Sequence, residues 1–146
     1  IIIRFECEYE LFNGSLKVKD LPDFWNGLYQ KYLGVSPKND AEGVLQDIHW
    51  SGGQFGTFCN YTIGNVMAAQ LMETMKNNKP EIQNDINKAN YLPLLNWLTS
   101  NIHSHGRRYT RNELLERSTG ETLNPLPYLK YLKNKANQVY GVSFND

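Results

Sequence analysis

The segment Asp20-Leu21-Pro22-Asp23-Phe24-Trp25-Asn26-Gly27-Leu28-Tyr29-Gln30-Lys31-Tyr32-Leu33-Gly34 decides the fold class. Phe24, Trp25, Leu28, Tyr29, Tyr32 and Leu33 recur at the three- and four-residue intervals that gather side chains on one side of a helix. Asp20 and Pro22 supply the start, because a proline in the first turn gives up an N–H that has no partner there anyway. Gly34 supplies the stop. Upstream, Ile2, Phe5, Tyr9 and Phe12 repeat at helical spacing until Asn13-Gly14 ends the run, and Ser15 to Val18 reads as a connector. Neither a capping residue nor an initiator Met precedes this first run, so the expectation is a chain that begins inside a helix, with further sequence upstream.

The same punctuation continues downstream. Val35 to Glu42 is a polar loop containing Pro37. Gly52, Gly53 and Gly56 argue against a continuous helix and predict a short helix or turn followed by an open glycine loop. A long helix is expected from near Asn60 to Asn77, with Ile63, Met67, Gln70, Leu71 and Met75 on a mostly apolar face. Pro80 opens a short helix ending near Asn87. Leu92, Leu95, Trp97, Leu98 and Ile102 mark another, ended by Gly106. Thr110 and Glu113 spell a capping box, in which hydroxyl and carboxylate each take one free N–H of the helix start. Gly120 ends that helix. Asn124 caps the last one, Pro125 starts it, and Gly141 closes it. No alternating run is long enough for a strand. The expected fold is all-α, with residues 1–146 as a single helical region.

Composition narrows the function classes. Apolar residues make up 40% of the 146, enough for a core, and 15 basic residues balance 15 acidic ones. That balance argues against coating nucleic acid or a charged membrane surface. No run of about 18 apolar residues exists to cross a membrane as a helix, and no signal-peptide pattern is visible. Cys7 and Cys59 do not make a disulfide framework and fit a reducing compartment, so the expected location is cytoplasmic.

The chemistry-bearing residues concentrate in Gly43-Val44-Leu45-Gln46-Asp47-Ile48-His49-Trp50 and the glycine turn that leads to Tyr61. Gln46 and Asp47 can orient neighbours or contact substrate, His49 can donate or accept, and the Tyr61 phenol can donate to a developing oxyanion. The plain alternative is a histidine satisfied by Asp47 or a backbone carbonyl, with Tyr61 as core. Arg107 and Arg108, with Arg111 beside them, offer guanidinium forks for a carboxylate or phosphate; the plain alternative is salt bridging to Glu113 and Glu116. A catalytic zinc needs about three protein ligands. The histidines are His49, His103 and His105, with no HExxH, so no metal site is expected in this chain. Ser51 has no nucleophile elbow around it, and Cys59 reads as a small buried apolar residue.

Gly43, Gln46, Asp47, His49 and Trp50 match all five fixed positions of GxxQDxHW, a motif of the carboxypeptidase Taq metallopeptidases. The stretch from His105 to Leu132, with GRRYTRNELLERSTGETLNPLPYLKYL, resembles that family's C-terminal block. The resemblance covers nearly the whole chain. It implies the C-terminal part of a larger, mostly helical, two-lobed body with a deep groove. It also implies a metallocarboxypeptidase of zinc or cobalt type that acts on peptides with a free C-terminus, and in many members a homodimer. The family's HExxH helix and its further glutamate ligand precede GxxQDxHW, so the resemblance places the metal in an upstream half of the same polypeptide and predicts that the isolated chain is inactive. Thr57 stands where a tyrosine is common and Cys59 where a proline is common, a departure that bears on fine specificity. By analogy with angiotensin-converting-enzyme-like peptidases, whose histidine and following tyrosine both bond to the scissile peptide, His49 would bind a substrate carbonyl and Tyr61 the oxyanion. The reading set against this is a non-catalytic helical interaction module that keeps the old fold. Nucleic-acid binding through Arg107 to Arg111 has no motif behind it.

Overall fold

The structure is a computed structural model that describes residues 1–144. Among the described residues the regular elements are seven α-helices and two 3-10 turns, with no strand. The chain divides into two compact units, Ile1–Thr62 and Ile63–Asp146, and the division falls within the long third helix.

In the first unit, α1 (Ile2–Phe12) ends at Asn13, and α2 (Leu21–Leu33) is preceded by a 3-10 turn, Val18–Asp20. Pro22 sits in the first turn of α2, and Gly34 closes it in the left-handed region that only glycine enters without strain. The two helices pack together. Their core is Ile3, Cys7, Leu21, Trp25, Leu28 and Val44, with Leu11, Leu16, Phe24, Tyr29 and Trp50 packed around it. Hence α1 buries Ile3, Cys7 and Glu8 within this unit. The stripe of Ile2, Phe5, Tyr9 and Phe12, the one the spacing picks out, is exposed. Both rows obey helical spacing, and it is the contact with α2 that selects one of them.

In the second unit, the rest of α3 (Phe58–Asn78) is joined by α4 (Ile82–Asn87), α5 (Leu92–Asn101), a 3-10 turn at His103–His105, α6 (Arg111–Thr119) and α7 (Leu126–Tyr140). Met75, Ile82 and Trp97 form a buried cluster backed by Leu71, Leu94 and Leu98. The capping box is complete: the Thr110 hydroxyl accepts from the Glu113 N–H, and the Glu113 carboxylate accepts from the Thr110 N–H at 2.8 Å. The helix α7 starts at Leu126 with Pro125, not Asn124, in the cap position, one residue later than the sequence suggests; Asn124 precedes the cap, and its Oδ1 accepts from the Leu126 N–H at 2.9 Å. Gln70 on α3 is 1% exposed. Its amide nitrogen donates to Thr119 Oγ1 at 3.1 Å and to the Thr122 carbonyl at 2.9 Å, and its oxygen accepts from the Asn124 N–H at 3.0 Å. The link between α6 and α7 is thereby tied to α3. Among the described residues no helix is long and apolar enough to cross a membrane.

Candidate functional site

The segment from Gly43 to Gly56 is a chain of turns rather than a helix. Gly43 is buried, and a Cβ added there would meet the Asn39 carbonyl and the Pro37 ring at 3.2 Å, a tight contact that a side chain could make only if those neighbours gave way by a few tenths of an ångström. The Gly52 N–H reaches the Ile48 carbonyl at 2.9 Å and the Gln54 N–H reaches the His49 carbonyl at 2.8 Å, which folds the glycine loop back onto the residues before it. Gly56 (φ +69°) then turns the chain into α3, which carries Tyr61 in its first turns.

His49 is half-buried and packs on Phe58, ring centroids 4.7 Å apart. Tyr61 meets it edge-on, at 6.5 Å between centroids and 85° between planes. The Tyr61 side chain is 54% exposed. His49 Nδ1 is buried and has no hydrogen-bond partner among the described residues. No neighbour therefore fixes the imidazole tautomer through that atom.

The residues just before it are held elsewhere. The Asp47 carboxylate is paired with the Arg4 guanidinium of α1, not with His49. That guanidinium also lies 5.0 Å from the Trp25 ring and 5.6 Å from the Phe58 ring, sandwiching the pair between aromatics. The Gln46 amide donates to the Tyr29 hydroxyl at 3.0 Å. Trp50 stands edge-on to Trp25 and Phe58, and its indole N–H donates to Glu8 at 2.9 Å. The sequence pattern marks the motif residues but gives no sign of Arg4, Glu8 and Tyr29, because their ties run across 17 to 43 positions of chain.

Arg107 and Arg108 are exposed, and no ion pair with Glu113 or Glu116 forms among the described residues. Glu113 is occupied by the capping box, whose Thr110 hydroxyl and N–H hold its carboxyl below the ordinary carboxylate range. Tyr109 stacks edge-on against His105 and receives Arg117 over its face at 4.2 Å. Cys59 is half-buried rather than buried, with its thiol donating to the Gly56 carbonyl at 3.3 Å. Cys7 is fully buried, and burial, reinforced by the Glu6 carboxylate, pushes its thiol up to about 12.

This architecture and motif have relatives. The chain belongs to the carboxypeptidase Taq (M32) metallopeptidase family, whose pattern matches residues 1–136. It is 43% identical to Carboxypeptidase 1 of Bacillus subtilis (strain 168) over 140 residues, which is 96% of this chain and 28% of that protein. Its fold superimposes on the crystal structure of an M32 carboxypeptidase from Deinococcus radiodurans R1 with a TM-score of 0.92 and 44% identity, covering 97% of this chain and 29% of that one. Trypanosoma cruzi metallocarboxypeptidase 1 gives a TM-score of 0.88 at 38% identity, covering 91% and 28%. The chain thus spans about 28% of the length of the curated relatives it matches.

The family implies a divalent metal. Among the described residues no three His, Cys, Asp or Glu side chains gather as a metal site requires. The described residues therefore do not by themselves supply a ligand set for that ion.

Proposed function

We propose that residues 1–146 form the C-terminal part of one catalytic domain of a metal-dependent carboxypeptidase, which releases C-terminal amino acids from peptides with a free C-terminus. In this reading His49 hydrogen-bonds the substrate peptide. Tyr61 donates its phenolic proton toward the carbonyl oxygen that gains negative charge during attack. Gln46 and Asp47 border the substrate while bracing the turn through Tyr29 and Arg4. In the second unit, Arg107 and Arg108 offer the planar forks suited to a carboxylate. The ion, zinc or cobalt, belongs to an HExxH segment upstream in the same polypeptide. A homodimer in the cytoplasm completes the reading.

The observation that carries it is the His49–Tyr61 pair, in a chain of this family: an exposed phenol edge-on to the motif imidazole, whose buried Nδ1 has no hydrogen-bond partner among the described residues.

The test is release of C-terminal residues from peptides by the full-length protein, before and after chelation and after zinc or cobalt is restored. Activity that disappears and returns with the ion is expected. The 146-residue chain with added zinc should release nothing. A full-length protein without metal-dependent release, or a short chain with it, would overturn the proposal.

A further inference from the structure

Glu8 is 4% exposed, yet it carries a carboxylate on the packed face of α1. A buried charge is expensive unless hydrogen bonds replace its water. Its two oxygens divide between the two ends of the glycine loop: Oε1 accepts from the Trp50 indole N–H at 2.9 Å and Oε2 from the Gly56 backbone N–H at 3.1 Å. The loop's own bonds, Gly52 to Ile48, Gly53 to Trp50 and Gln54 to His49, shape the turn internally. Its seat on α1 is made by Glu8, helped by the edge contact of Phe55 on Phe12 at 5.4 Å and, just upstream, by the ion pair of Arg4 with Asp47. The His49 carbonyl is one of those internal acceptors, so a loop that shifts takes His49 with it.

We infer that Glu8 is a positioning residue: a two-pronged clamp that fixes the glycine loop at both ends and so sets where His49 meets substrate. This inference rests on the reading of His49 as a substrate contact. The chemistry demands a carboxylate. Two N–H donors need two acceptors, and glutamine, equal in shape, brings one acceptor and turns an NH2 group toward a donor. An error of about 1 Å in a positioning element is enough to cost on the order of 10²-fold in rate.

The test uses the full-length protein. Glu8→Gln should raise hydrogen exchange in residues 50–56 about tenfold, the factor expected for one lost buried hydrogen bond, while α2 keeps its protection. The same variant should lower kcat/KM about tenfold. Placed on His49→Asn, it should cost less than about twofold more, since a clamp acting through His49 has nothing left to position. Should Glu8→Gln fail to fold, Trp50→Phe removes one of the two bonds and should raise exchange in the same segment with the same non-additivity. Unchanged exchange overturns the clamp. An equal kinetic loss in both His49 backgrounds overturns positioning through His49. A fully active His49→Asn protein overturns the reading of His49 itself, and the exchange data then still report whether the clamp exists.

Discussion

The phenol ring of Tyr61 stands edge-on to the imidazole of His49, 6.5 Å between centroids, with one ring at the end of a glycine turn and the other on the first turns of a long helix. Backbone rigidity on the helix side and a tethered loop on the other define the separation. A donor held in this way costs little to reorganise when charge appears on a nearby oxygen.

If Tyr61 donates to that oxygen, it acts more strongly in the transition state than on bound substrate. Tyr61→Phe in the full-length protein should then lower kcat by about 10²–10³-fold with little change in KM, the usual loss for one oxyanion donor. Steady-state kinetics on a C-terminally free peptide checks it. An unchanged kcat would remove Tyr61 from the chemistry, and a change in KM alone would make it a binding group.

A second expectation concerns the hub at Gln70. Polar contacts from the last residue of α6 and from Thr122 and Asn124 in the α6–α7 link converge on this buried amide. Gln70→Leu keeps the volume but strands the Asn124 N–H and the Thr122 carbonyl, at about 3 kcal/mol for two unmet buried groups. Gln70→Glu should be no better near neutral pH, because a carboxylate cannot donate to the Thr122 carbonyl and would confront it. Urea unfolding of the full-length variants measures both. A wild-type midpoint in either would mean that the link holds itself.

Elements settled by local chemistry were legible in the sequence. The Asn13-Gly14 and Gly34 stops and the Thr110–Glu113 box all lie within a few residues of what they act on, and the structure forms them at those positions, whereas the start of α7 falls one residue later than read, with Pro125 rather than Asn124 in the cap position. The long helix was expected from near Asn60 and begins at Phe58, since the turn at Gly56 releases the chain slightly earlier than the polar residues suggest. Periodicity could not choose between the two apolar rows of α1, because the choice is made by α2. The ties of Asp47 to Arg4 and of Trp50 to Glu8 were illegible for a related reason. A lone Glu or Arg on a helix has many potential partners, and only the folded chain brings residues 42 or 43 positions apart together.

The capping box makes a pH-dependent prediction. The Thr110 hydroxyl first, and its N–H second, hold the Glu113 carboxyl below its ordinary value of 4.5. The folded state therefore binds this proton less tightly than the unfolded one, and the contribution is present above pH 4.5 and fades as the pH falls through the lowered value. Thr110→Ala should lower the unfolding midpoint modestly at pH 7 and by less below about pH 4. A constant difference across that range would mean that the carboxylate does not take part in the cap.

The two thiols should separate cleanly. Cys7 is fully buried and held near 12 by burial and by the Glu6 and Glu8 carboxylates, with Arg4 opposing them. At pH 8 its thiolate fraction is on the order of 10⁻⁴, so an alkylating reagent should modify Cys59 in the native protein and reach Cys7 only on unfolding. The same displacement has a stability consequence with the opposite pH sense to Glu113. A thiol whose folded value is raised keeps its proton after the unfolded chain has lost it, so its contribution is intact below the ordinary value of 9.0 and is lost as the pH climbs from there toward about 12. Tyrosines and lysines also titrate in this range, so the informative measurement is the difference between wild type and Cys7→Ala. The wild-type midpoint should fall more steeply than the variant's between pH 9 and 11. Parallel curves, or rapid native labelling of Cys7, would show that the α1–α2 core admits solvent at this position.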